Sequence, residues 1–151
     1  MSSSGITIER TIAAPPEKVF AASSSVHTWA DVVPAITKVE VLTEGPVGKG
    51  TRFRETRTMF GRPATEEMEF LEFDPPRGYT LGAESHGCRY RTRFDVVPDG
   101  ANTRLVMRFE AEPLTVFAKV MSVLMRPMMK KMADMCGKDL DAIKAHVESG
   151  G

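Results

Sequence analysis

The chain has 151 residues, the usual size of one domain, and can bury a core without help from disulfides or metal. Its 20 basic and 20 acidic side chains cancel, so net charge alone supports no general attraction to nucleic acid or anionic lipid. The opening Met1-Ser2-Ser3-Ser4-Gly5 has no basic cluster ahead of an apolar run, and no apolar stretch is long enough to cross a bilayer, so a cytoplasmic protein without stable membrane insertion is expected.

Ile6, Ile8 and Ile12 alternate with polar residues over positions 5–13, the period of a half-buried first strand. Pro15-Pro16 stops it and suits the first turn of a short helix over 17–22, because a proline there lacks only an N–H that would be unpaired anyway. A second short helix over 26–33 carries Trp29 and is closed by Pro34. Six strands follow, over 38–43, 51–60, 64–73, 79–84, 89–97 and 103–111. They are separated by Gly45-Pro46 with Gly48 and Gly50, Gly61-Arg62-Pro63, Pro75-Pro76 with Gly78, His86-Gly87, and Pro98-Asp99-Gly100. Short reversals of this kind make neighbouring strands antiparallel. In 89–96 arginine and aspartate take one face, while Tyr90, Thr92, Phe94 and Val96 take the other.

From 114 to 148, Phe117, Met121, Leu124, Met128, Met132, Met135, Cys136, Leu140, Ile143 and Val147 recur at three- and four-residue steps, the stripe of an amphipathic helix that must cover the sheet. Pro127 predicts a kink or break, and Gly137 a second weak point. Six of the ten methionines fall in this segment. They serve either as plain core or as the adaptable wall of a ligand cavity.

The reactive residues exclude several chemistries. Cys88 and Cys136 lack CxxC spacing and nearby histidines, so buried free thiols and no metal site are expected. His27, His86 and His146 are too scattered to support a nucleophilic triad, although His86, between Ser85 and Gly87, is placed to sit at a cavity rim. Residues 45–50 lack Walker spacing and lead into a strand, which excludes a phosphate loop.

The order of strand, two short helices, six antiparallel strands and long helix resembles the START-like (SRPBCC) superfamily, in particular its polyketide cyclase/dehydrase and lipid-transport branch. The residues carrying the resemblance are Ala14-Pro15-Pro16-Glu17-Lys18-Val19-Phe20, Trp29 before Val33-Pro34, and Gly48-Lys49-Gly50-Thr51-Arg52-Phe53-Arg54. Phe73-Asp74-Pro75-Pro76-Arg77 and Asp139-Leu140-Asp141-Ala142-Ile143-Lys144 complete it. The resemblance spans nearly the whole chain and implies an α+β helix-grip fold: a single domain over 1–151, with a curved seven-stranded antiparallel sheet around the C-terminal helix. It also implies a cavity for a lipid, polyketide, sterol or aromatic compound.

The same resemblance turns Phe53 inward, and the period of two then brings Glu55, Arg57 and Met59 to that face. Two readings of the charged pair follow. In one, Arg57 receives a carboxylate, phenolate or carbonyl oxygen of the ligand and Glu55 holds Arg57 in place. In the other, the strand bulges and the pair is a surface ion pair. Met68 and Phe70 form a further wall, with Glu66 solvated near the strand start. Tyr90, Thr92 and Phe94 form another, and Tyr90 bonds either a ligand oxygen or a backbone carbonyl. Met121, Leu124 and Met128 close the cavity from the helix. The expected function is binding of a hydrophobic small molecule for transport, sequestration or sensing, by a monomer or homodimer, with no cofactor and no nucleic-acid partner. One alternative is a cyclase, aromatase or dehydratase using Arg57, Glu55 and Tyr90. Another is a protein-interaction module of the same superfamily.

Overall fold

The computed structural model describes residues 4–85 and 87–150. Strand β1 (Ser4–Ile12) leads into helix α1 (Pro16–Ser24), a 3₁₀ turn (Val26–Thr28) and helix α2 (Trp29–Val32). Strands β2 (Ile36–Val41), β3 (Arg52–Met59), β4 (Arg62–Asp74), β5 (Gly78–Ser85), β6 (Cys88–Asp99) and β7 (Asn102–Pro113) come next. The chain ends in α3 (Val116–Leu124), a 3₁₀ turn (Arg126–Met128) and α4 (Met129–Glu148).

All seven strands form one antiparallel sheet in the order β1-β7-β6-β5-β4-β3-β2. Only the step from β1 to β2 leaves the meander, and α1 and α2 carry the chain between the two edges of the sheet. This is the helix-grip arrangement that the family resemblance implies. The second short helix is smaller than expected, because its first turn is 3₁₀.

Helix α4 lies against β1, α1 and α2 and buries Leu140, Ile143 and Val147 in the core. Polar clamps hold its seam with β1. Arg10 Nε donates to Asp141 at 2.6 Å, Lys144 Nζ donates to the Thr11 carbonyl at 2.6 Å, and the Ala13 amide donates to Glu148 at 2.9 Å. Gly137 does not weaken the helix as expected. It sits inside an unbroken α4, and a Cβ there would meet Arg10 Nη2 at 2.8 Å, so its missing side chain makes room for the Arg10 clamp. The break falls at Pro127, as expected: α3 stops at Leu124, and Pro127 lies in the 3₁₀ turn ahead of α4.

One end of the grip is filled by aromatic rings. Trp29 meets Phe53 (5.4 Å), Phe53 meets Phe70 (5.7 Å), Phe70 meets Tyr79 (5.5 Å) and Tyr79 stacks on Phe94 (4.8 Å), so the cluster runs from α2 across four strands. A register shift between Phe70 and Glu72 lets both Phe70 and Phe73 join it, although they are three residues apart. Trp29 Nε1 and the Tyr79 hydroxyl both donate to the Ser23 carbonyl, at 3.0 and 2.7 Å, which satisfies the polar atoms of two buried rings and ties α1 to the sheet.

Candidate functional site

Along each central strand the inward face keeps its period but changes its chemistry. On β3 it runs Phe53, Glu55, Arg57, Met59. The facing positions of β4 are Met68 opposite Phe53, Glu66 opposite Glu55 and Ala64 opposite Arg57. On β6 it runs Phe94, Thr92, Tyr90, Cys88, opposite Met107, Phe109, Ala111 and Pro113 of β7. Beyond the aromatic cluster these faces enclose a cavity of about 670 Å³, a volume suited to a drug-sized molecule. The facing wall comes from α3 and the first half of α4: Phe117, Met121 and Met125, then Met128, Met129, Met132 and Met135.

Of the side chains expected around a ligand, Glu55, Arg57, Met59, Met68, Tyr90, Thr92, Phe94, Met121 and Met128 line this cavity. Phe53, Phe70 and Leu124 do not. Phe53 and Phe70 are fully buried in the aromatic cluster, because the strand period selects a face and not a depth. Leu124 is 66% exposed on the outer side of α3, because the break at Pro127 uncouples that helix from the stripe of α4. Glu66, expected in solvent, is half-buried on the wall, and Ser122 of α3 also lines it. His86, expected at the rim, lies outside the described residues.

The polar centre of the cavity is a triad. Arg57 Nη2 donates to Glu55 Oε1 at 3.1 Å and approaches Asp139 Oδ2 at 2.9 Å, and none of the three side chains exposes more than 16% of its surface. The β3–β4 register is regular from Arg52 to Met59, so no bulge tips Glu55 and Arg57 outward. Asp139 was not singled out from the sequence as a site residue. Its signal was a carboxylate inside the apolar stripe, seven residues after Met132 and just before Leu140. Asp139 Oδ1 is buried and receives no hydrogen bond from the described residues.

Burial pushes the carboxyls of Glu55 and Asp139 above the usual carboxylate range, by more than Arg57 draws them down. Burial also opposes the charge of Arg57, but Glu55 and Asp139 outweigh it and hold the guanidinium ionised. Burial pushes Tyr90 up to about 12, with Cys88 adding to the effect, so Tyr90 stays a neutral phenol, stacked on Phe109 at 5.8 Å. The Cys136 thiol, pushed up to about 11 by burial and then by Asp139, is no nucleophile at neutral pH. Among the described residues, no group of three His, Cys, Asp or Glu side chains is placed to hold a metal ion. Among the described residues, one cation, Arg57, shares the cavity wall with three carboxyls, those of Glu55, Glu66 and Asp139.

No curated protein sequence matches the chain. Solved structures share its fold. A protein of Thermus thermophilus is 22% identical with a TM-score of 0.80, covering 98% of this chain and 99% of its own. The ZhuI aromatase/cyclase of Streptomyces sp. R1128 is 20% identical with a TM-score of 0.78, covering 99% of each chain. Norcoclaurine synthase of Thalictrum flavum is 20% identical with a TM-score of 0.73, covering 99% of this chain and 89% of its own. The family model described as polyketide cyclase/dehydrase and lipid transport matches residues 5–148, the whole length from the first strand to the end of α4, and the chain belongs to that family.

Proposed function

We propose that the protein binds an apolar small molecule whose buried end carries a hydrogen-bond donor, a hydroxyl or a protonated amine, for transport, sequestration or sensing. The observation that carries this reading is the buried Asp139 Oδ1, which has no donor among the described residues, in a cavity where Arg57 faces the carboxyls of Glu55, Glu66 and Asp139. A donor on the ligand satisfies that oxygen, whereas a ligand carboxylate would add a fourth acidic group to the wall. This reverses the polarity expected from Glu55 and Arg57 alone, because Asp139 engages the same Arg57 nitrogen that Glu55 does. The remaining wall, largely thioether and hydrocarbon, fits the apolar body of the ligand.

The test is displacement of the neutral dye Nile red by three compounds of equal chain length: dodecylamine, dodecanol and dodecanoate. The amine and the alcohol are expected to displace the dye at about tenfold lower concentration than the carboxylate, the scale of one charge-assisted hydrogen bond. Asp139→Asn is expected to erase most of that preference. A preference for dodecanoate would overturn the donor reading, and failure of all three, together with no dye uptake, would overturn binding itself.

A second reading rests on the raised proton affinity of Glu55 and Asp139. A carboxyl that keeps its proton beside a cavity is equipped to donate it to a ligand carbonyl, with Arg57 stabilising the carboxylate left behind. Incubating the identified ligand with wild type, Glu55→Ala and Arg57→Ala separates the two readings. Unchanged ligand in every tube excludes catalysis, and a product missing only from the variants establishes it.

A further inference from the structure

Helix α3 is apolar on two sides. Ala118, Met121, Ser122 and Met125 face the cavity, while Val116, Val120, Val123 and Leu124, at steps of four, three and one, form a second apolar face with no cover. The exposures are those of a surface awaiting a partner: Val116 is 77% accessible, Phe117 73% and Leu124 66%. The helix is held in place regardless. The Thr115 side chain accepts the Ala118 amide at 3.0 Å, and the Leu114 amide donates to the Gly87 carbonyl at 2.7 Å.

The β3–β4 turn adds a second apolar element to the same opening. Phe60 has φ +52° and Gly61 φ +79°, the left-handed pair of a tight hairpin turn, in which Asn, Asp or Gly normally takes the first position. Here a large aromatic side chain occupies it, half in solvent, and it lines the same cavity as Phe117 and Met121. Those three side chains are both exposed and cavity-lining, so they mark where the cavity opens.

Charge identifies the partner. The chain is neutral as a whole, yet residues 113–133 contain Lys119, Arg126, Lys130 and Lys131 and no acidic residue, and Arg62 follows the Phe60 turn. All five cations are exposed. Two copies meeting through α3 about a twofold axis would bring this basic, acid-free stretch against itself. An anionic bilayer surface answers both features, with lipid headgroups pairing the cations while Val116, Val120 and Leu124 enter the acyl boundary. At nine residues α3 lies in the interface and does not span it, and no helix among the described residues is long and apolar enough to cross a membrane.

We propose that α3 and the Phe60 turn form a docking surface for anionic lipid bilayers, which brings the cavity opening against the membrane. Flotation of the full chain with vesicles tests this, comparing phosphatidylcholine alone with phosphatidylcholine containing about one-third phosphatidylglycerol. Wild type is expected to float with the anionic vesicles only, and less at high salt. The double variant Val120→Ser/Leu124→Ser is expected to bind about tenfold or more weakly. It should keep its thermal midpoint and its Nile red uptake, because both side chains are more than half exposed and neither lines the cavity. Lys119→Glu/Lys130→Glu is expected to lose binding while remaining folded. Wild type that ignores anionic vesicles, or variants that bind as well as wild type, would overturn the proposal. So would a wild-type dimer in sedimentation that the serine variant makes monomeric without any vesicle binding, which would assign the face to a second copy.

Discussion

The two ends of the grip are built from the same strands with opposite logic. At one end Trp29, Phe53, Phe70, Tyr79 and Phe94 pass ring contacts from strand to strand, and the polar atoms of Trp29 and Tyr79 both end on the Ser23 carbonyl. At the other end the same faces carry Glu55, Arg57, Met68, Thr92 and Tyr90, opposed by flexible methionines, and they enclose space. Rigid rings fill volume in few conformations, whereas thioethers adapt to what they meet. The filled end therefore carries the stability and leaves the hollow end free to be shaped for a ligand.

The largest expected effect tests that division. Phe53→Ala removes a fully buried ring with aromatic neighbours on two sides, and a loss of about 3–5 kcal/mol in urea unfolding is expected. Met132→Ala, on the cavity wall, is expected to cost under about 1.5 kcal/mol, since its side chain already borders open space. Equal costs would abolish the distinction.

Arg57→Met should come next, and it probes the charged triad of the hollow end. Removing the guanidinium leaves Glu55 and Asp139 without their cation, so a loss of about 3 kcal/mol at neutral pH is expected. Much of it should be recovered as pH is lowered, because the buried carboxyls of the folded variant take up protons above the ordinary carboxylate range, and the recovery should be complete by about pH 4, the ordinary carboxylate value of the unfolded chain.

A smaller effect concerns pH in the wild type. The folded pKa of Asp139 lies above its unfolded value, so its contribution to stability is complete below the ordinary aspartate range and is lost as pH rises through the folded value. Asp74 and Glu148, whose pKa values are lowered by Arg77 and by Lys144 with the Ala13 amide, slope the other way, but they are common to wild type and variant. Asp139→Asn should therefore gain stability relative to wild type as pH is raised from the acid side. A relative loss would mean that attraction to Arg57 outweighs burial.

The smallest effect is expected on the α4–β1 seam. Gly137→Ala gains helix propensity but pushes the end of the Arg10 side chain aside, and a net change within about 0.5 kcal/mol is expected from thermal melts.

Much of this architecture was legible in the sequence because it rests on local periods and turn chemistry. Alternation in β6, the glycine and proline separators and the α4 stripe all act within a few residues of one another. The direction of Glu55 and Arg57 followed from Phe53 by the period of two. What escaped was set by distant partners. Whether an inward residue meets a ring or open space depends on what the helices place opposite, which is why Phe53 and Phe70 fall in the core while Met59 and Met68 reach the cavity. Asp139 escaped because a lone carboxylate on an apolar stripe declares itself only once Arg57 is seen across the grip. Leu124 falls outside the cavity because Pro127 divides the helix, so the stripe of α4 does not continue in register through α3.

That division also separates two scales of opening. Pro127 removes a rung from the hydrogen-bond ladder, so the amides of α3 are not tied to those of α4 by one continuous helix. Leu140, Ile143 and Val147 bind α4 to the core, and their amides should exchange with solvent only on global unfolding. The amides of α3, with little of the helix buried, should exchange through local opening that leaves the aromatic end intact. Local opening of that kind would uncover the cavity without cost to the fold.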